Sequence, residues 1–167
     1  IIADVSKVAH MPIAVGGKIR TIEDIRMRLS NGADKVCINT KPLESPEFIT
    51  EAAQEFGSQC VVVSMDVKKT EDGYRVFSKG GQIPTELDPV TWARRVEGLG
   101  AGEILVNAID RDGARTGYDL DLISSIADSV EIPVIALGGI GEWEHFGEAL
   151  AKTNVDAVAA ANIWNYI

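Results

Sequence analysis

The chain has 167 residues, of which 46% are hydrophobic and 25% charged, proportions that suit one globular domain with a buried core. Its 16 basic and 25 acidic residues leave a net charge of −9, which argues against a nucleic-acid surface, because such a surface clusters Lys and Arg to neutralise phosphates. No apolar run approaches the roughly 20 residues that span a bilayer, and no basic-then-apolar leader is evident, so no membrane association and a cytoplasmic setting are expected.

From the N-terminus, Ile2, Val5 and Val8 share one face of an opening helix. Short apolar strands then alternate with amphipathic helices about six times, the strands being expected at 13–15, 35–38, 60–66, 103–109, 134–137 and 157–161. These are near-continuous apolar runs, as in a parallel sheet covered by helices. Thr21, with Asp24 three positions on, marks a capping box. Ser45-Pro46 and Asp88-Pro89 mark two further helix starts with Pro at the first position, the second leading to Trp92, Val96 and Leu99 on one face. Gly32, Gly57 and Gly100 stand where helices should end. The stretch 67–85 breaks the rhythm. It is polar and glycine-containing, with a strand-like run at 74–77, and reads as a long strand-to-helix loop carrying a small hairpin. Cys37 and Cys60 fall in strand-like runs and are expected as small core residues rather than a disulfide framework.

Such a repeat folds either as an open doubly wound sheet or as a closed barrel. Polar and glycine motifs recur after several strands, which favours a (β/α)8 TIM barrel. Six units are two short of eight. Together with a start at Ile1 lacking Met and an end directly after a strand, this leads to the expectation that residues are missing at both ends.

Three groups of residues carry chemistry. Gly16-Gly17, followed by Lys18 and a helix start, reads either as a tight turn or as a phosphate-binding loop; Asn39 and Thr40, after the next strand, would face the same rim. Asp112-Gly113, Gly138-Gly139 and Ala161-Asn162 follow three later strands and form a plausible second phosphate cup, Asp112 fixing its loop while backbone N–H groups contact the anion. Asp66, at the end of an apolar strand, is either a general acid or base or the partner of Lys68, Lys69 or another rim cation. His10 and His145 lack metal-ligand spacing and are read as lying far from any strand end, so no metal site is expected. Neither Ser64 nor Cys60 has a local His partner, and Trp92, Trp143 and Trp164 read as packing residues.

With these motifs in place, the chain resembles the cyclase subunits of imidazole glycerol phosphate synthase along nearly its whole length. The resemblance rests on AVGGKIRTIEDI (14–25), NGADKVCINT (31–40), GSQCVVV leading to Asp66, GAGEIL leading to IDRDG and GYD (100–119), and IPVIALGGIG (132–141). It implies one barrel domain over 1–167, covering strands three to eight. It also implies a cofactor-free enzyme that takes a bisphosphorylated formimino ribonucleotide and ammonia and releases imidazole glycerol phosphate and an aminoimidazole carboxamide ribonucleotide. The ammonia would come from a glutaminase subunit forming a heterodimer with the barrel. Asp66 matches one of two catalytic aspartates, the other lying on a first strand outside the chain, so the chain alone should be inactive. Gly17, Lys18, Asn39 and Thr40 match one phosphate site; Asp112, Gly113, Gly139, Ala161 and Asn162 match the other. Lys35 and Glu103 match a charged ring gating the ammonia passage, and Asp34 matches the glutaminase interface. Three positions depart from the family pattern: Lys18 replaces a glycine, while Leu137 and Asn162 each replace a serine. Two alternatives therefore stand beside the histidine-pathway enzyme. One is a paralogue working with an amidotransferase on surface-sugar precursors; the other is a non-catalytic partner of a glutaminase or phosphate compound.

Overall fold

The computed structural model describes residues 1–161 and Ile163. In chain order it contains helix α1 (Ile2–Ser6), strand β1 (Ala14–Gly16), α2 (Ile22–Ser30), β2 (Lys35–Ile38), α3 (Thr40–Glu44), α4 (Glu47–Phe56), β3 (Val61–Thr70), β4 (Gly73–Ser78) and β5 (Ile83–Pro84). There follow α5 (Pro89–Gly98), β6 (Glu103–Ala108), α6 (Leu120–Ala127), β7 (Val134–Leu137), α7 (Glu144–Lys152) and β8 (Ala157–Val158). Six strands form a curled parallel sheet in the order β1-β2-β3-β6-β7-β8, with helices alternating along the chain. This is the strand arrangement of an incomplete (β/α)8 barrel.

The helices begin and end where their local chemistry dictates. Thr21 accepts from the Asp24 backbone N–H and the Asp24 carboxylate accepts from the Thr21 N–H, so two otherwise orphan donors are satisfied. Asp88 caps α5 through the Thr91 N–H at 2.9 Å, with Pro89 at the first helical position. At the other ends, the N–H groups of Gly32 and Ala33 reach back to Leu29 and Arg28, and those of Gly100 and Ala101 to Glu97 and Val96. Both patterns are the paired bonds of a Schellman turn, which needs the positive φ of 99° that each glycine adopts.

Strand periodicity sorts side chains onto two faces. In β6, Ile104, Val106 and Ala108 are buried under the helices, while Glu103, Leu105 and Asn107 lie half-buried on the opposite face. The helix-side residues of the central strands (Val36, Ile38, Val61, Val63, Met65) join Trp92, Ile123 and Ile126 in one continuous core.

Several boundaries differ from those read in the sequence. β1 lies one residue later, at 14–16. Ser58–Cys60 form a 3-10 turn, so Cys60 precedes β3 rather than opening it. β3 does not stop at Asp66 but runs on to Thr70, because β4 pairs with it antiparallel from Asp66–Phe77 to Thr70–Gly73 and supplies ladder partners beyond the rim. The expected hairpin strand is present, one residue longer at each end, and β5 adds a third segment. Thr40 opens the short helix α3, whose Pro42 sits in the first turn, where a missing N–H costs no helical bond. Pro46 is the N-cap of α4 rather than its first residue, and Ser45 makes no side-chain cap; Gly57 is the C-cap of α4. β8 ends at Val158.

The capping box makes a direct prediction. Thr21→Ala removes one of its two bonds and should lower unfolding free energy by about 1 kcal/mol, read as a lower urea midpoint with unchanged m-value.

Candidate active site

At the C-terminal ends of the central strands, register brings three polar side chains together. Asp66 on β3 lies opposite Asn107 on β6, and Asn39 directly follows β2 on the other side. Asn39 Nδ2 donates to Asp66 Oδ2 at 3.0 Å, and Asn107 Nδ2 donates to Asp66 Oδ1 at 3.2 Å. The carboxylate is only 7% exposed, so these amides replace most of its hydration. Each oxygen keeps one further lone-pair direction through which it can accept or return a proton. The Oδ1 atoms of both asparagines are buried without a partner among the described residues. The alternative of an ion pair with Lys68 or Lys69 is not realised: among the described residues Asp66 has no salt bridge, and Lys69 Nζ instead lies 5.5 Å from the Tyr74 ring centroid.

Beside this group is a cavity of about 680 Å³ lined by Gly17, Lys18, Arg20, Asn39, Thr40, Lys41 and Lys79, among others. Its charged lining is four cations against one carboxylate, that of Glu44, so an acidic protein presents a locally cationic pocket. Arg28 on α2 donates to the Gly17 carbonyl at 2.9 Å, on the opposite side of the peptide from the Lys18 N–H. Lys18 itself adopts φ 54°, a left-handed conformation that a non-glycine residue holds at a cost of about 1–2 kcal/mol.

The later strand ends form a second cluster. The Gly117 N–H donates to Gly139 O at 2.8 Å, and a Cβ at position 139 would lie 2.2 Å from Gly117 O, so only glycine fits there. Gly113 is exposed at φ 78°. Asp112 is exposed and joins its turn through its backbone N–H, which donates to Ala108 O. The bonds that hold the loop come from its neighbours: Arg111 faces Asp119 at 3.5 Å and Tyr118 Oη donates to Ala159 O at 2.8 Å. Ala161 is exposed; Asn162 and Trp164 lie outside the described residues. His145, although in the first turn of α7 as a helix-terminal residue, is not remote from a strand end. Its Nδ1 accepts from the N–H groups of Gly141 and Glu142 in the loop after β7, because that loop turns straight into the helix. Trp92 is buried, but Trp143 is 53% exposed and stacks on Phe146 at 5.7 Å, so it is a surface ring rather than a core residue.

At the opposite ends of the strands, Lys35 on β2 and Glu103 on β6 form an ion pair across the intervening β3. Asp34, exposed just before β2, accepts from the Ile13 N–H at 2.8 Å.

The chain matches the family described as histidine biosynthesis protein over residues 1–166. It belongs to that family. It is also 52% identical, over 165 residues, to the HisF subunit of imidazole glycerol phosphate synthase from Saccharolobus solfataricus, an alignment covering 99% of this chain and 66% of that relative. The chain thus spans just under two thirds of the length of the relative it matches.

Within this family fold, the structure gathers Asp66 and Asn39, gathers Gly17, Lys18 and Thr40 around one cavity, and pairs Lys35 with Glu103. Leu137 lies opposite Asn107 in the register and sets an apolar side chain beside the amide that holds Asp66. Sequence reasoning missed Asn107, although its signal was available: Glu103 and Asn107 are both polar and an even number of residues apart in an otherwise apolar strand. It also missed the bonds of Arg28 to Gly17 and of Asp119 to Tyr74, which span 11 and 45 residues and leave no local pattern.

Cys37 shares this face. Burial pushes its thiol up to about 11; the neighbouring Asp66 charge adds to the rise, while a hydrogen bond with Ser64 opposes it. A thiol with a raised value stays neutral below it, and the thiolate is the reactive form. Iodoacetamide labelling of Cys37, followed by mass spectrometry, should therefore be slow at pH 7–8 and rise about tenfold per pH unit toward about 11.

Proposed function

We propose that this chain carries the cyclase activity of an imidazole glycerol phosphate synthase, with its six parallel strands corresponding to the third to eighth of a single barrel domain. Its substrates are a bisphosphorylated formimino ribonucleotide and ammonia. Its products are imidazole glycerol phosphate and an aminoimidazole carboxamide ribonucleotide. The observation that carries this reading is the Asn39–Asp66–Asn107 arrangement beside a cationic cavity: a water-depleted carboxylate held at both oxygens, next to a site suited to phosphate. The 52% identity to a protein bearing that name supports it.

In this reading Asp66 moves protons during ring closure, sharing the work with a second aspartate from a strand outside these residues. Asn39 and Asn107 hold its oxygens in place, so no reorientation is needed when the proton transfers. The Lys18 N–H and the side chains of Lys18 and Thr40 hold one phosphate. Gly17 lets the backbone approach it, and Arg28 keeps the Gly17 carbonyl turned away. The second phosphate lies against the backbone of Asp112, Gly113 and Gly139, with Ala161 and Asn162 closing that cup. Lys35 and Glu103 guard the other end of the strands, where ammonia from a glutaminase subunit enters, and Asp34 meets that subunit in a heterodimer. The setting is cytoplasmic; no described helix is long and apolar enough to cross a membrane.

A second reading, an ammonia-using paralogue acting on surface-sugar precursors, draws on Lys18 and Leu137, which alter a phosphate loop and the neighbour of Asn107. Complementation of a histidine auxotroph by the complete gene separates the two, since the paralogue would fail.

Two variants test the site. In the complete gene product assayed with the ribonucleotide and an ammonium salt, Asp66→Asn should cut kcat by about 10²–10⁴-fold; turnover at the parent rate would remove Asp66 from the mechanism. Lys18→Gly should raise stability by about 1 kcal/mol through relief of the left-handed backbone and raise KM several-fold. An unchanged or lower KM would show that the lysine side chain does not hold phosphate.

A further inference from the structure

The hairpin that follows Asp66 touches both clusters, and the activity proposed above does not by itself use it. On one side, Tyr74 Oη donates to Asp119 Oδ1 at 2.9 Å. Asp119 is 3% exposed and is the N-cap of α6, accepting the Leu122 N–H at 3.2 Å through that same oxygen; its other oxygen faces Arg111 Nε at 3.5 Å. Arg111 immediately precedes Asp112-Gly113 and also donates to Tyr118 O at 3.4 Å. The hairpin is therefore fastened, through one buried carboxylate, to the loop of the second cup.

On the other side, the turn after β4 enters the cationic cavity. The Lys79 N–H donates to Thr40 Oγ1 at 3.3 Å, and Lys79 and Gly80 are among the residues lining that cavity. Lys79 adopts φ 51°, a left-handed turn conformation that favours glycine. A Cβ at Gly81 would lie 2.9 Å from Ile109 Cδ1, so the turn packs against the side chain of the residue before Asp110. Between these two fastenings β4 is paired with β3 from Gly73 to Phe77, so it behaves as a stiff rod rather than a free loop.

We propose that β4 and its turn act as a strap that sets the relative position of the two phosphate cups, with Tyr74 and Lys79 as its positioning residues. A substrate with a phosphate at each end demands a fixed separation between cups, and one paired strand touching both supplies it without needing either cup to contact the other. Tyr74 acts through Asp119 and Arg111 on the 110–117 loop. Lys79 acts on Thr40 through its backbone and adds its ammonium to the cavity. This inference rests on the two-cup reading of the site, but its test does not require turnover.

The test uses the complete gene product and inorganic phosphate as the probe, with the amide resonances of Thr40 and Gly113 reporting each cup separately. Tyr74→Phe, which removes only the hydroxyl, should raise the phosphate midpoint at Gly113 by roughly three- to tenfold, the scale of losing one hydrogen bond to a buried charge. Lys79→Gly keeps the backbone N–H that Thr40 accepts and removes only the ammonium, so it should raise the midpoint at Thr40 and leave that at Gly113 at the parent value. Asp119→Asn, which can still cap α6 but loses the charge facing Arg111, should raise the midpoint at Gly113 and keeps the proposal open to refutation should Tyr74→Phe fail to fold. With the ribonucleotide, Tyr74→Phe should raise KM while kcat stays within about twofold, a split that general loosening of the fold would not produce. Midpoints and KM equal to the parent's in the folded variants would overturn the strap. Shifted midpoints in a protein that does not turn over the ribonucleotide would sustain the strap and sink the cyclase reading alone.

Discussion

Strand β3 is hydrogen-bonded in parallel to β2 on one side and β6 on the other, and the site depends on that double register. A strand alternates its side chains between faces, so a slip of one residue would turn Asp66 into the helix layer and carry Met65 out of it. What prevents the slip is not the site but the core behind it. Val61, Val63, Met65 and Val67 are each at most 1% exposed, and reversing the phase would bring that apolar surface to the opposite face. The polar group at the rim is thus held in phase by apolar residues that never touch it, and Asn39 and Asn107 only refine an orientation already set.

The same alternation distributes charge along the sheet. Glu103 and Asn107 lie on one face of β6, four residues and so about 13 Å apart, and the ion pair of Lys35 with Glu103 occupies one level while the Asp66 group occupies the other. Between them the face carries Cys37, Val62, Ser64 and Leu105, whose small or apolar side chains keep the two polar levels separate. The net charge of −9 gives no hint of this arrangement. A global count averages over helices rich in Glu and Asp, whereas the cavity at the rim is built from Lys18, Arg20, Lys41 and Lys79 contributed by three separate stretches.

How much could be read beforehand varied with how local the cause was. β2 and β7 fall where their apolar runs place them, and the caps at Thr21 and Asp88 follow from chemistry within four residues. The hairpin could be anticipated from its glycines, but not the continuation of β3 into it, because that extension depends on β4 as a partner. Asp66 stood out as a carboxylate closing an apolar run. Its clamps did not, since Asn39 and Asn107 are 27 and 41 residues away in the chain and meet it only through strand order. Tyr74 and Asp119 are separated by 45 residues and belong to different elements, so their bond has no trace in any local pattern.

The two asparagines that hold Asp66 present the same group to it. A side-chain amide carries an NH2 group and a carbonyl at opposite corners, and here both present NH2 to the carboxylate while both Oδ1 atoms stay buried without partners. An ionised carboxylate only accepts, so this orientation suits the anion. A proton arriving along the free lone-pair direction of either oxygen leaves both N–H···O bonds in place, so Asp66 can take up or release it without any side chain turning.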